Sequence, residues 1–232
     1  MNLIYDYLHD FISLFFPQLC ATCGKNLFKS ESTICTQCFY HLPYTNFHLD
    51  DENRVVRQLY GRIPFESAAA FLYFAKGSKV QNLIHGLKYN NKPEIGTRLG
   101  EMYGQKLKAI EKFKEIDLIL PVPLHPKRLK KRGYNQSEYF AMGLSNSLEI
   151  PLRSDILVRP VATSTQTQKS RFSRFENMKD VFSISNSELL QGKHVLLVDD
   201  VLTTGATVEA CALELLKVQA LRISIASIAF AE

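Results

Sequence analysis

Two adjacent carboxylates, Asp199 and Asp200, follow a short apolar run and precede a stretch of small and hydroxyl-bearing residues. The apolar run, 195–198, is typical of a parallel strand covered on both faces. Both carboxylates would then lie at the carboxyl end of that strand, where open α/β sheets bind ligands. Because carboxylates repel phosphate, we expect them to accept hydrogen bonds from two adjacent sugar hydroxyls, with Mg²⁺ bridging nearby oxygens.

The residues that follow the carboxylates suit an anion. They are Val201, Leu202, Thr203, Thr204, Gly205, Ala206 and Thr207. Small side chains let backbone N–H groups approach an anion closely. A helix predicted from about 206 to 217 would direct its positive amino-terminal end at the same place. The whole run predicts a sugar-phosphate site; an ordinary strand, acidic turn and helix is the alternative.

This run resembles the signature of type I phosphoribosyltransferases, which bind 5-phosphoribosyl 1-diphosphate, abbreviated PRPP below. The resemblance implies that Asp199 and Asp200 hold the ribose hydroxyls and act as the catalytic pair. It also implies that residues 201–207 cradle the 5-phosphate.

Four of the five cysteines form two C-x-x-C pairs: Cys20, Cys23, Cys35 and Cys38. This spacing predicts a tetrahedral Cys₄ zinc ribbon, and a closed site of this kind favours a structural role over catalysis. Iron and a redox pair are minor alternatives. Metal-binding thiols also indicate a reducing compartment, so we expect a cytoplasmic protein.

The composition sets bounds without choosing a partner. At 232 residues and 46% hydrophobic content the chain is long enough for one domain and an appendage. The 28 basic and 23 acidic residues give a net charge of +5, which suits phosphate ligands or a nucleic acid without requiring either. Residues 1–16 predict an amphipathic helix on the protein surface, with no stable membrane insertion.

Strands alternate with helices from residue 65 onward, which predicts an α/β fold with a mainly parallel, Rossmann-like sheet flanked by helices. The predicted organisation has three parts: an amino-terminal helix and zinc ribbon (1–45), a polar, irregular linker (46–64) and the main domain (65–232).

A dense basic run follows a proline-rich strand end. Its cations are Lys127, Arg128, Lys130, Lys131 and Arg132. Such charges repel one another unless an anion lies nearby, so we expect this loop to meet a diphosphate or an acceptor's phosphates. A solvated surface loop is the alternative.

The segment 166–177 is polar and short of large aliphatic residues, which is typical of a lid. A closed lid would keep water from a reactive sugar centre. Arg171 and Arg174 would then reach the diphosphate oxygens, the alternative being a plain exposed loop.

Together these segments resemble the ComF family, phosphoribosyltransferase-like proteins that are linked to DNA uptake in natural transformation and include the GntX proteins. The resemblance covers nearly the whole chain. It rests on the cysteine pairs, the segment 121–136, the pattern at 166–182 and the signature. It implies a type I phosphoribosyltransferase domain, with Lys88, Arg128 and Arg132 as further PRPP contacts.

Two functions remain open. In the first, the protein binds PRPP with Mg²⁺ and takes part in DNA uptake, handling single-stranded DNA through the basic run, with DNA-uptake or helicase machinery as a candidate partner. In the second, it is an active phosphoribosyltransferase for an unknown small-molecule acceptor and has no nucleic-acid role. Whether turnover occurs is open in the first.

Overall fold

A computed structural model describes residues 15–160 and 181–231. A four-stranded parallel sheet in the order β1-β6-β5-β2 forms the centre of the chain. Its strands are β1 (Ser67–Phe74), β2 (Leu118–Pro121), β5 (His194–Leu202) and β6 (Arg222–Ala231). A separate antiparallel pair consists of β3 (Leu157–Val158) and β4 (Ser183–Ile184).

Helices flank the sheet. They are α1 (Thr36–Tyr40), α2 (Arg54–Leu59), α3 (Lys79–Tyr89), α4 (Glu94–Leu107), α5 (Glu111–Lys114), α6 (Pro126–Arg132), α7 (Gln136–Leu148) and α8 (Ala206–Leu215). The first five residues of β5 and residues 223–230 of β6 are buried, as expected for parallel strands covered on both faces. The predicted α/β class is confirmed.

Helices α4 and α7 cross at very short range through glycines. A Cβ atom added to Gly143 would lie 2.0 Å from the carbonyl oxygen of Thr97, and one added to Gly100 would lie 2.2 Å from that of Phe140. Only residues without a side chain permit this approach. The contact places α7 beside β2 and β5 and thereby brings its first turn to the carboxyl end of β5.

The segment 46–64, predicted to be an irregular linker, is ordered and includes a 3₁₀ turn (Phe47–Leu49) and α2. Asn53 fixes it. The buried side-chain Nδ2 of Asn53 donates to the carbonyl oxygens of Phe47, Asp50 and Ala68 at 2.8–3.1 Å, while its Oδ1 caps α2. The segment therefore packs against β1 and is hydrogen-bonded to it through Asn53. The domain boundaries themselves stay a prediction.

The predicted amino-terminal helix (1–16) lies almost wholly outside the described residues, and so does the lid with Arg171 and Arg174. Within the described ranges, no helix combines the length and apolar character needed to cross a membrane.

Candidate functional site

The two adjacent carboxylates lie on β5 near its carboxyl end, each held by different partners. The Oδ1 atom of Asp199 accepts hydrogen bonds from Ser137 Oγ at 3.1 Å and from the Asp200 backbone N–H at 2.8 Å. Lys88 at the end of α3 places its Nζ 2.9 Å from both carboxylate oxygens of Asp200. Three segments distant in sequence therefore converge on one pair of acids.

Burial is the main cause of an unusual protonation equilibrium at Asp199. Desolvation, reinforced by the neighbouring Asp200 charge, raises the pKa of Asp199 to about 7. The hydrogen bonds from Asp200 N–H and Ser137, together with the Lys88 charge, act in the opposite direction. A carboxyl group whose pKa is raised by burial and by a neighbouring acid is typical of functional sites.

The chain leaves β5 through a tight turn that begins α8. Gly205 adopts φ 74°, ψ −1° at the cap of α8, a left-handed conformation that favours glycine. Residues 201–208 line one small cavity together with Asp199. Because the first N–H groups of a helix have no intrahelical acceptor, the turn offers donors and a positive dipole end to an anion.

Helix α2 supports this turn from outside. Gln58 Nε2 donates to the carbonyl oxygen of Thr203, and Arg62 Nη1 donates to that of Thr204 at 2.7 Å. Arg62 also forms an ion pair with Glu209 in the first turn of α8. The pair neutralises a carboxylate that would otherwise repel an anion at the helix start.

Sequence reasoning missed Gln58 and Arg62. Helix α2 spans only six residues, too few for a clear 3.6-residue period, and Arg62 lies in the turn that follows it.

The basic run forms α6, a short helix, rather than the predicted loop. His125 Nδ1 accepts from the Lys127 N–H at 3.2 Å at its start, and Gly133 ends it at φ 85°. The helix follows β2, so it begins from the same edge of the sheet as the turn after β5. None of its basic side chains lies within 4 Å of a carboxylate of the described ranges.

Arg159, at the end of β3, is another cation that sequence reasoning missed. Its guanidinium carbon lies 5.2 Å from the ring centroid of Phe182. Partial burial lowers the pKa of Arg159, and the nearby charge of Arg128 contributes to the same shift. The two cations are therefore close enough to repel each other.

The four cysteines predicted to bind metal are gathered together. The Sγ atoms of Cys20, Cys23, Cys35 and Cys38 all lie within 4.8 Å of one another, and the set could hold a metal ion. Two of them, Cys23 and Cys35, are 3.8 Å apart, close to the S–S edge of about 3.8 Å that Zn–S bonds of about 2.3 Å give in a tetrahedron. Zinc is therefore the plausible occupant.

The surroundings of these thiols also suit a metal. Burial opposes ionisation of Cys20, but backbone donors, led by the Cys35 N–H at 3.3 Å, outweigh it and lower its pKa to about 6. Burial and the neighbouring thiols raise the pKa of Cys38. A bound cation would stabilise the thiolate form of both.

The acid pair, Ser137 and the turn after β5 all lie in a recognised domain. The model of the phosphoribosyl transferase domain matches residues 135–231, which include α7, β5 and α8. With its parallel sheet flanked by helices, the protein has the type I phosphoribosyltransferase fold. A solved purine phosphoribosyltransferase from Pyrococcus horikoshii is similar at 24% identity and a TM-score of 0.36, over 57% of this chain and 72% of that one.

Two curated relatives match over most of the chain. DNA utilization protein YhgH of Escherichia coli (strain K12) is 31% identical over 202 residues, 86% of this chain and 84% of YhgH. Competence protein F of Haemophilus influenzae is 30% identical over 203 residues, 83% of this chain and 88% of the relative. The chain belongs to the ComF family, as the sequence motifs predicted.

Proposed function

We propose that the protein binds PRPP together with Mg²⁺ at the carboxyl end of β5 and that it handles single-stranded DNA in the cytoplasm. One observation carries the first part: Asp199 lines one cavity with the turn at 201–207, and the adjacent Asp200 is paired with Lys88. A sugar that carries phosphate at one end and diphosphate at the other needs an acceptor region between two anion-binding regions.

The chain's own groups match the parts of PRPP. The carboxylates of Asp199 and Asp200 would accept hydrogen bonds from the ribose hydroxyls, because ionised acids only accept. The turn and the α8 amino terminus would hold the 5-phosphate. Lys88, now beside Asp200, would lie next to the diphosphate and balance part of its charge.

The acids also fit a magnesium ion. Mg²⁺ prefers carboxylate and phosphate oxygens, and the Asp199–Asp200 pair supplies oxygens of that kind beside the proposed diphosphate. When bound, the ion would neutralise diphosphate charge. New positive charge and hydroxyl donors at Asp199 would also favour its ionised form, which burial disfavours in the unbound protein.

The DNA part of the proposal has two supports. Relatives over most of the chain bear the names DNA utilization protein and competence protein. Helix α6 presents five cations without carboxylate partners in the described ranges, which suits a sugar-phosphate backbone. Components of a DNA-uptake machinery, including a helicase, are candidate protein partners.

A calorimetric titration tests PRPP binding. Wild-type protein with Mg²⁺ should bind PRPP, and Asp200→Asn should bind it at least about ten-fold more weakly because a ribose contact and the Lys88 pair are both weakened. Asp155→Asn is the matched control, since Asp155 is an exposed acid that is paired with Arg153. Equal binding by Asp200→Asn and wild type would contradict the assignment of the acids.

Diphosphate release decides between the open alternatives. Single-stranded DNA binding that weakens with salt, without diphosphate release, supports the proposed DNA role. Release with a small-molecule acceptor, together with no DNA affinity at low salt, would instead identify a phosphoribosyltransferase of the second kind.

The cysteine set is proposed to hold a structural Zn²⁺. Purified protein should contain about one zinc per chain, and removal by a strong chelator should lower the melting temperature because ligand binding to the folded state is lost. Cys38→Ser should reduce the zinc content, whereas Cys211→Ser should not, because Cys211 belongs to α8 rather than to the cluster. A full zinc load in Cys38→Ser would contradict this site.

A further inference from the structure

An exposed tyrosine stands at the end of α3. Tyr89 is 69% exposed although its ring has two polar neighbours. The Arg132 guanidinium carbon lies 5.6 Å from the ring centroid, and the His85 ring centroid lies 5.0 Å away. A large ring that is open to solvent but contacted by a guanidinium and an imidazole is oriented without being buried.

An open groove of about 370 Å³ adjoins this tyrosine through His85. One wall is the turn around Cys23, and the other includes His85 on α3 and Lys92 before α4. Asn82 Nδ2 donates to the carbonyl oxygen of Thr22 at 3.0 Å and joins the two walls. The groove combines apolar side chains, Leu19 and Ile95 among them, with the amides of Asn82 and Asn90 and the cation of Lys92, so it suits an occupant with an apolar ring face and polar edges.

Helix α6 also reaches Tyr89, through its last residue. It contributes Arg132 to the ring contact, and its remaining cations are exposed without a carboxylate within 4 Å in residues 15–160 and 181–231. Unpaired like charges at this density repel one another, and a row of phosphates would remove that repulsion. Base-sized aromatic surface and backbone-binding charge therefore meet at one place.

We infer that Tyr89 is a stacking platform for a base of single-stranded nucleic acid, with α6 holding the adjoining backbone and the groove beside His85 receiving the neighbouring nucleotide. The inference rests on the proposed handling of single-stranded DNA and identifies where the bases bind. In a duplex the bases are stacked on one another, so only an unpaired strand offers a face to Tyr89. The position of Arg132 over the ring favours its nucleic-acid role over a diphosphate contact.

Oligonucleotide binding to three variants tests this. With a labelled oligo-dT at fixed salt, Tyr89→Ala should bind roughly ten-fold more weakly than wild type, the loss expected for one stacked base. Tyr89→Phe keeps the ring and should bind within about two-fold of wild type. Tyr60→Ala is the matched control, because Tyr60 is also highly exposed but lines a separate cavity at the start of β1.

Salt dependence and an abasic strand separate stacking from charge. The slope of affinity against salt should be the same for Tyr89→Ala and wild type, because no phosphate contact is removed. An abasic oligonucleotide should bind wild type more weakly than oligo-dT does and should reduce the difference between wild type and Tyr89→Ala. PRPP affinity should be unchanged in Tyr89→Ala, which also reports that the adjacent Lys88 is in place.

The outcomes are distinguishable. Wild type that binds oligo-dT while Tyr89→Ala binds it equally well overturns the stacking platform and leaves the proposed function standing. Wild type that binds no oligo-dT at low salt overturns both the stacking platform and the proposed handling of single-stranded DNA. A Tyr89→Ala variant that loses PRPP affinity as well, or a Tyr89→Phe variant as weak as Tyr89→Ala, also overturns the platform.

Discussion

The turn after β5 and helix α6 are both proposed to bind anions, but with different parts of the chain. At the turn, backbone N–H groups and the α8 dipole supply the attraction, and Gly205 with Arg62 sets their geometry. On α6, exposed side chains supply it, with no carboxylate beside them in the described ranges. Fixed backbone donors fit one phosphate of defined shape, whereas long flexible cations follow an extended polyanion. The contrast predicts that each region can be disabled without the other.

The largest effect is expected from Gly205→Val. A β-branched residue at φ 74° is strained, and its Cβ would lie 2.8 Å from the Leu59 side chain. Strain of about 2–3 kcal/mol that displaces the turn would weaken PRPP binding about 100-fold in calorimetry, with DNA affinity unchanged. Gly192→Val is the control, because Gly192 has φ 69° but open space around it. Wild-type PRPP affinity in Gly205→Val would show that the turn does not hold the phosphate.

The next effect concerns α6. Replacing Lys127, Lys130 and Lys131 by Gln should weaken single-stranded DNA binding roughly 30-fold near physiological salt and reduce the salt slope by about 2, since each lost phosphate contact removes about 0.7. PRPP affinity should stay within about two-fold. Anisotropy titrations over a salt series measure both quantities.

A second lysine triple provides the control for that experiment. In this triple each lysine is paired with a carboxylate. The pairs are Lys108 with Glu149, Lys112 with Asp51 and Lys114 with Glu111. The two triple variants remove the same charge. Equal loss of DNA affinity in both would mean that net charge, rather than α6, governs binding.

A smaller effect is expected at the support of the turn. Arg62→Ala removes the hydrogen bond to the Thr204 carbonyl oxygen and leaves Glu209 unneutralised, so PRPP affinity should fall about ten-fold while DNA affinity is unchanged. Arg57→Ala should have no effect, because Arg57 lies on the nearby helix α2, is highly exposed and pairs with Glu52. Calorimetry on both variants makes the comparison, and an identical result for the two would exclude a positioning role for Arg62.

The smallest effect is a pH dependence of stability without ligand or Mg²⁺. Because the folded-state pKa of Asp199 is raised to about 7, the stability its protonated form contributes is lost as pH rises through that value. When the pH is raised from 5 to 8, wild type loses this stability and Asp199→Asn does not. The unfolding free energy of Asp199→Asn relative to wild type should therefore be about 1 kcal/mol higher at pH 8 than at pH 5, after discounting for solvent screening. Urea unfolding at the two pH values measures this difference.

Asp117→Asn is the control for the pH experiment. The His194 N–H donates to Asp117 and lowers its pKa, so its ionised form contributes stability that is lost only in acid. The difference between Asp117→Asn and wild type should be the same at pH 5 and pH 8. A constant difference for Asp199→Asn as well would contradict the raised pKa.

Local sequence patterns predicted the turn after β5 better than they predicted helix α6. The apolar strand, the acid pair and the small residues after it are contiguous, so their relative placement follows from chain connectivity at the end of a parallel strand. The cysteine cluster was predictable for the same reason, since the C-x-x-C spacing brings the two thiols of each pair together. The helical state of α6 was missed because its seven residues carry no apolar face to produce a period.

By itself the sequence determined the α/β class, the four thiols that form the cluster, the acid pair with the small-residue turn after it and the ComF family, because each depends on residue types at short, fixed spacings. Only the tertiary structure decided that Lys88 meets Asp200, that Ser137 holds Asp199, that α2 supports the turn and that Arg132 lies over Tyr89. These contacts join residues far apart in the chain. They depend on how α4 and α7 cross and on how the segment before β1 packs, and a local pattern carries no information about such packing.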